Sequence, residues 1–281
     1  MAKAIMVQGT MSSAGKSILV TGLCRLFHRN GLRTAPFKSQ NMTRKSFICS
    51  DGLEMGNAQA IQAEAACALP CVHMNPILLK PCSNTKSEVI VLGKAVGTMD
   101  AVEYYKFRPS IKTVVSEAFT ALSKANDIVV IEGAGSPAEI NLSSDDIVNM
   151  GMAEIADSPV ILVADIDRGG VFAQIYGTIM LLPPHQRRRI KGIVINKFRG
   201  ATEILRPGIE MIEKLCSVPV LGVLPYLDIE IEDEDSLTVS PPRPKAPDTA
   251  DFRSSQYDLL AEAFREYLDT NAIYRILEGH I

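Results

Sequence analysis

Apolar runs of strand length alternate with amphipathic runs of helix length over about the first 225 residues. The strand-like runs fall at residues 4–8, 33–38, 89–92, 128–132, 160–165, 192–196 and 220–223. Helical spacing fills the intervals at 17–30, 55–68, 110–125, 146–156, 169–182 and 204–216. Ile128-Val129-Val130-Ile131 and Val160-Ile161-Leu162-Val163 are continuously apolar rather than alternating. Such strands are buried on both faces, as in a parallel sheet covered by helices. Gly31 stands where a left-handed helix terminator is expected. The pattern predicts an α/β fold, a doubly wound and mainly parallel sheet with helices on both faces. Its ligand site belongs at the carboxyl ends of the strands.

The alternation stops after Tyr226. Residues 228–235 are acidic, and the proline-rich stretch 241–247 continues neither a helix nor a central strand. We expect one large α/β domain over 1–234, a linker over 235–255 and a C-terminal helix over 256–281. The helical pattern runs over 257–277, with Leu259, Leu260, Ala263, Phe264, Tyr267 and Leu268 as its apolar stripe. That stripe needs a partner surface on this chain or on another copy, which leaves a homo-oligomer open.

Composition narrows the class. Hydrophobic residues at 47% and charged residues at 22% of 281 describe a globular chain, and a net charge of −3 argues against a nucleic-acid surface. No apolar run approaches the roughly 20 residues that span a bilayer, so no membrane partner is expected. The first residues lead straight into a strand pattern, which predicts a cytoplasmic protein. Six cysteines form no repeated C-x-x-C pair. Cys67, Cys71 and His73 lie close together but lack a fourth metal ligand.

The strongest chemical signal is Gly9-Thr10-Met11-Ser12-Ser13-Ala14-Gly15-Lys16-Ser17, between the first strand and the first helix. Backbone N–H groups of such a loop cradle phosphates, the lysine reaches the β- and γ-phosphates, and the Ser17 hydroxyl ligates Mg²⁺. Five residues separate the glycines, one more than in the common pattern, and the loop makes the expected fold one of the P-loop NTPase type. A second metal-facing carboxylate belongs at the end of a later strand, and Glu132 closes the run 128–131. Gly133, Gly135 and Ser136 follow it and permit close approach of substrate or phosphate. Lys38, ending the second strand, sits where a cation meets charge developing on the γ-phosphate. ATP and Mg²⁺ are therefore the expected cofactors.

The extended loop and the Glu132-Gly133-Ala134-Gly135 strand end resemble the dethiobiotin synthetase-like ATPases. Longer stretches resemble the cobyric acid synthases: APFKSQNM at 35–42, MNPILLKP at 74–81, EGAGSPAEINL at 132–142, DIVNMGMAE at 146–154, ADIDRGGVF at 164–172 and INKFRG at 195–200. The similarity extends from residue 1 to about residue 236. It implies ATP-dependent amidation of the b, d, e and g carboxylates of a corrinoid, adenosylcobyrinic acid a,c-diamide, through acyl phosphates. It also implies that Asn196 and Lys197 border the nucleotide base, and that Gln40, Asn41, Asn141, Asp146 and Asn149 line the substrate side. Asp146 would orient the reacting carboxylate or the incoming amine; it equally suits a helix N-cap. Asp165, Asp167 and Arg168 meet either substrate, a neighbouring subunit or one another as an ion-pair cluster.

Members of that family continue into a glutamine amidotransferase domain, and nothing here supplies its cysteine nucleophile on a tight turn. Cys24 lies inside the expected first helix. Residues 257–277 are similar to the family's extreme C-terminus. Nitrogen would then come from free ammonia or from a separate glutaminase subunit. The rival readings are a related ligase acting on another carboxylic acid, a nucleotide-dependent binding switch without ligase activity, and an inactive remnant.

Overall fold

A computed structural model describes residues 1–142, 146–229, 231 and 249–280. The chain runs β1 (Lys3–Gly9), α1 (Lys16–Arg29), β2 (Thr34–Phe37), β3 (Gln40–Met42), β4 (Ser46–Ile48), β5 (Glu54–Gly56) and α2 (Asn57–Ala65). It continues through β6 (Ile77–Pro81), β7 (Lys86–Val91), β8 (Lys94–Asp100), α3 (Ala101–Ala125) and β9 (Ile128–Glu132). Then come α4 (Met150–Ile155), β10 (Val160–Asp165), α5 (Val171–Leu181), α6 (Pro184–Arg187), β11 (Ile190–Phe198), α7 (Thr202–Cys216) and β12 (Val220–Pro225). Helices α8 (Ala250–Tyr267) and α9 (Thr270–Leu277) follow.

Six strands form one sheet in the order β12-β11-β10-β1-β9-β2, and every pairing in it is parallel. The expected doubly wound sheet is therefore present. Successive residues alternate between two cores. Met6, Val129, Ile131 and Leu162 join the larger, while Ile5, Val7, Val130 and Ile161 join the smaller. That period of two on a wholly apolar run is why these strands show no polar face. The chain leaves β1 for β2 on one side and later fills β10 on the other. The β1 loop thus lies at the point where strand order reverses, the usual crevice of such sheets.

The run at 89–92 was expected in this sheet and is not there. It belongs to β7 of a second, four-stranded sheet, β3-β6-β7-β8, where β6–β7 and β7–β8 are antiparallel. Helix α3 starts at Ala101 rather than 110, because Asp100 and Glu103 form a reciprocal capping box upstream of Pro109. Helix α4 starts at Met150 rather than 146, since Asp146 folds its carboxylate onto the main chain ahead of it.

The C-terminal segment also departs from expectation. Of the expected linker 235–255, residues 235–248 lie outside the described residues, whereas Ala250 onward is helical. The helix breaks at Leu268 and restarts after Asp269, whose Oδ1 accepts from the Ala272 N–H at 2.8 Å. Leu259 and Tyr267 are exposed; Tyr257, Leu260, Ala261, Phe264 and Leu268 form the buried stripe. This stripe finds its partner on its own chain, packing over α1, while α9 covers β1 and β12. Phe264 is fully buried against Gly22, where a Cβ would fall 2.3 Å from the ring. Arg25 grips Asp258 with Nε and Nη2 at 2.8 and 2.9 Å, and Tyr257 OH donates to Glu64 at 2.9 Å. Helices α8 and α9 therefore complete one face of the sheet. Among the described residues, no helix is long and apolar enough to cross a membrane.

Two outcomes test this packing. Phe264→Ala should cost about 3–5 kcal/mol in a denaturant unfolding experiment, because the void beside Gly22 cannot collapse onto a side chain. The Asp258 carboxyl is held below its ordinary value by its hydrogen bonds from Arg25, against the opposing cost of burial. A depressed carboxylate contributes stability above its unfolded value of 3.8 and loses it as pH falls through the folded one. Asp258→Asn should therefore lower the unfolding midpoint at neutral pH, and the gap to wild type should close as pH is taken well below 3.8.

Candidate active site

The loop between β1 and α1 turns on two left-handed residues, Ser13 (φ 57°) and Gly15 (φ 103°). Gly15 is required twice over. Its φ disfavours any Cβ, and a Cβ there would lie 2.0 Å from Asn196 Nδ2. Asn196, near the end of β11, donates to Ala14 O at 3.0 Å; Lys197 Nζ donates to Ser13 O at 2.7 Å and to Asp165 Oδ2 at 2.8 Å. Two strand ends, those of β10 and β11, thus brace one loop. Thr10 N–H continues the β10 ladder to Val163 O, and its hydroxyl donates to Gln174 Oε1 at 3.2 Å. Ser12 is exposed at the loop tip. Lys16 is buried, and its Nζ donates to Met11 O at 3.1 Å and Gly135 O at 3.2 Å, spanning this loop and the one after β9.

Glu132 is the centre of the site. Its side chain is 1% exposed and ends the strand beside β1. Oε1 accepts from Ser17 Oγ at 2.9 Å and from Lys38 Nζ at 2.9 Å, while Oε2 accepts from Gln62 Nε2. The expected trio of Ser17, Lys38 and Glu132 is therefore assembled in space from α1, the end of β2 and β9. One hydroxyl and one carboxylate oxygen meeting at 2.9 Å are hard oxygen donors, a set that suits Mg²⁺ completed by phosphate oxygens.

The remaining expected residues divide by what they touch. Asn149 clamps the loop after β9, with Nδ2 on Ala134 O at 2.6 Å and Oδ1 receiving Ala134 N–H at 3.2 Å. Gly133 leaves room for it, since a Cβ would fall 2.4 Å from Asn149 Oδ1. Ser136 is held by Glu139, which accepts its N–H at 3.1 Å. Both oxygens of Asp146 are engaged, Oδ1 by the N–H groups of Val148 and Asn149 and Oδ2 by that of Gly151. The N-cap of α4 is Asn149 rather than Asp146, which instead holds the turn leading into the helix. Asp165 is buried on Lys197, Asp167 lies 3.4 Å from Arg199, and Arg168 is exposed on the turn before α5. Gln40 accepts from Tyr104 OH at 2.6 Å. Asn141 is exposed in a short turn before the undescribed residues 143–145.

Asn41 is buried and donates to Gln59 Oε1 at 2.9 Å, which exposes a group that sequence reasoning missed. Gln59, Gln62 and Asn75 are all at most 1% exposed. Asn75 accepts from Gly56 N–H at 2.9 Å and donates to Lys38 O at 3.0 Å. Amides carry no charge pattern, and Gln59 and Gln62 read as ordinary polar positions of α2. Their only sequence signal is a spacing of three on the helix face that also carries Ala63. Cys24 is fully buried, and burial together with the nearby Glu132 charge pushes its thiol far up, so it supplies no thiolate. Two open clefts, one lined by Pro159, Arg189 and Lys191 and one by Lys3, Arg33 and Ile128, sit at the opposite ends of the strands.

Gly15→Ala should weaken nucleotide binding about 10- to 100-fold by calorimetry, the equivalent of 1–3 kcal/mol of backbone strain concentrated in the loop.

The family model described as the CobQ/CobB/MinD/ParA nucleotide binding domain (CbiA) matches residues 5–238. The cobyric acid synthase of Yersinia enterocolitica is 58% identical over 269 residues, covering 96% of this chain and 52% of that protein. That of Streptococcus sanguinis is 59% identical over 239 residues, covering 85% and 48%, and that of Clostridium novyi 61% over 236, covering 84% and 47%. The chain spans about half the length of these curated relatives. With a phosphate-binding loop at the switch point of its sheet, the chain belongs to the CobQ/CobB/MinD/ParA family of nucleotide-binding domains.

Proposed function

We propose that this chain is an ATP-dependent amide synthetase acting on the peripheral b, d, e and g carboxylates of adenosylcobyrinic acid a,c-diamide. The observation that carries the reading is the meeting of Ser17, Lys38 and the buried Glu132 beside the phosphate loop. The kinship with cobyric acid synthases supports the substrate class.

A carboxylate resists attack by ammonia because its carbon is shielded by negative charge. In the proposed reaction a substrate carboxylate oxygen attacks the γ-phosphorus of ATP, the bond to the β-bridging oxygen breaks, and ADP leaves an acyl phosphate. Ammonia then adds to the acyl carbon, phosphate departs with the electron pair of its C–O bond, and the added nitrogen loses a proton. Phosphoryl transfer of this kind depends on positioning and on neutralising charge. Lys16 Nζ donates to the carbonyl oxygens of Met11 and Gly135, and a phosphate oxygen would be a stronger, charge-assisted acceptor within the same reach. Ser17 and Glu132 would hold Mg²⁺, which supplies charge neutralisation on the β- and γ-phosphates when bound. Lys38, released from Glu132, would meet the γ-phosphate. Asn196 and Lys197 would border the nucleotide. The 133–136 segment, with Gln40 and Asn41, would face the substrate. Asp146 acts from behind, by fixing the entry to α4. Nitrogen would arrive as free ammonia or from a glutaminase subunit.

The test is ATP hydrolysis with Mg²⁺ and cobyrinic acid a,c-diamide, comparing ammonium with glutamine and following products by mass. Ammonium-supported turnover, with stepwise conversion of carboxylates to carboxamides, is the expected result. Tight nucleotide binding without substrate-dependent ATP consumption would replace this reading with a nucleotide-controlled binding protein.

A further inference from the structure

We propose that Gln62 is the positioning residue of Glu132. It fixes the carboxylate so that Oε1 can exchange the Lys38 ammonium for a divalent cation without the carboxylate turning. Gln62 lies on α2 and is 1% exposed. Its Nε2 donates to Glu132 Oε2, whereas its own Oε1, equally buried, has no hydrogen-bond partner among the described residues. A buried amide normally settles where both its ends are satisfied. Here the acceptor is forfeited while the donor stays on the carboxylate, so Glu132 dictates the orientation.

The two oxygens of Glu132 are used differently. Oε1 carries Ser17 and Lys38, the groups with work to do when nucleotide and metal arrive. Oε2 carries a neutral donor that a cation neither repels electrostatically nor displaces. A carboxylate held at one oxygen and exchangeable at the other can change partners without losing its aim. The support for Gln62 is shared with Lys38. Gly56, just ahead of α2, donates to Asn75 Oδ1 at 2.9 Å, and Asn75 Nδ2 donates to Lys38 O at 3.0 Å. Gln59, one turn before Gln62, is tied to Asn41 at 2.9 Å. The donor, the carboxylate and the exchangeable ammonium are thus one braced unit.

The inference rests on the reading of Ser17 and Glu132 as the cation site, and not on the corrinoid or the nitrogen donor. Its test is nucleotide affinity of the full chain, measured calorimetrically over a Mg²⁺ titration and again in EDTA. In Gln62→Met, which keeps the bulk and removes the donor, the half-saturating Mg²⁺ concentration should rise about 10- to 100-fold, the range for loss of a group that orients a metal ligand. Affinity in EDTA should be unchanged, which a merely structural role would not predict. Gln62→Asn, with the donor one methylene short, should shift Mg²⁺ dependence in the same direction. Equal loss with and without Mg²⁺, or no loss in either, overturns the positioning role. Wild-type binding that ignores Mg²⁺ overturns the cation site itself, a distinct result.

Discussion

Everything in this protein that bears on chemistry is arranged around one buried negative charge. Removing a carboxylate from water costs several kcal/mol even after relaxation, unless partners replace its hydration. Glu132 is surrounded by an ammonium from the end of β2, a hydroxyl from the first turn of α1 and an amide from α2. Those elements are separated in sequence by 94, 115 and 70 residues from it, so only the finished fold makes the charge tolerable. The converse also holds. In the proposed reaction, a carboxylate stored against a lysine would be poised for a stronger cation, because the ammonium could leave for an anion arriving with the metal.

Around that centre lies a layer of residues whose side chains hold main chain. Asn149 grips Ala134, Asp146 gathers three N–H groups, and Asn196 and Lys197 seize consecutive carbonyls of the phosphate loop. Lys197 does so from a left-handed backbone, φ 61°, an unusual conformation for a side chain of its size. Loops that must present N–H groups to a phosphate cannot spend those groups on one another. Rigidity has to be imported from side chains behind them.

The sheet was legible because parallel strands buried on both faces write themselves as unbroken apolar runs, as at 128–131 and 160–163. The phosphate loop was legible in its glycines and lysine between a strand and a helix, and the position of Glu132 because a carboxylate closing such a run has few structural uses. The second sheet was not. Strand β3 has three residues, and β8 is so exposed that its composition matches a loop. The amides escaped notice for a different reason. Whether Gln62 is buried depends on what stands opposite α2, and nothing local encodes that. In the tail, Leu259 was expected on the apolar stripe and is exposed, since two apolar neighbours at 259 and 260 leave the inward face ambiguous until α1 is in place.

The socket for α8 carries a consequence for chain architecture. Phe264 in the gap at Gly22 and Arg25 on Asp258 fasten the helix to α1 by contacts that make no use of the polypeptide between Ile231 and Thr249. The entropy of closing a loop grows only logarithmically, about 0.6 kcal/mol for each doubling of its length. A helix held by its own anchors therefore returns to the same seat whether the intervening segment is short or several times longer. This makes the junction between β12 and α8 a point at which polypeptide can be gained or lost while both faces of the sheet stay covered.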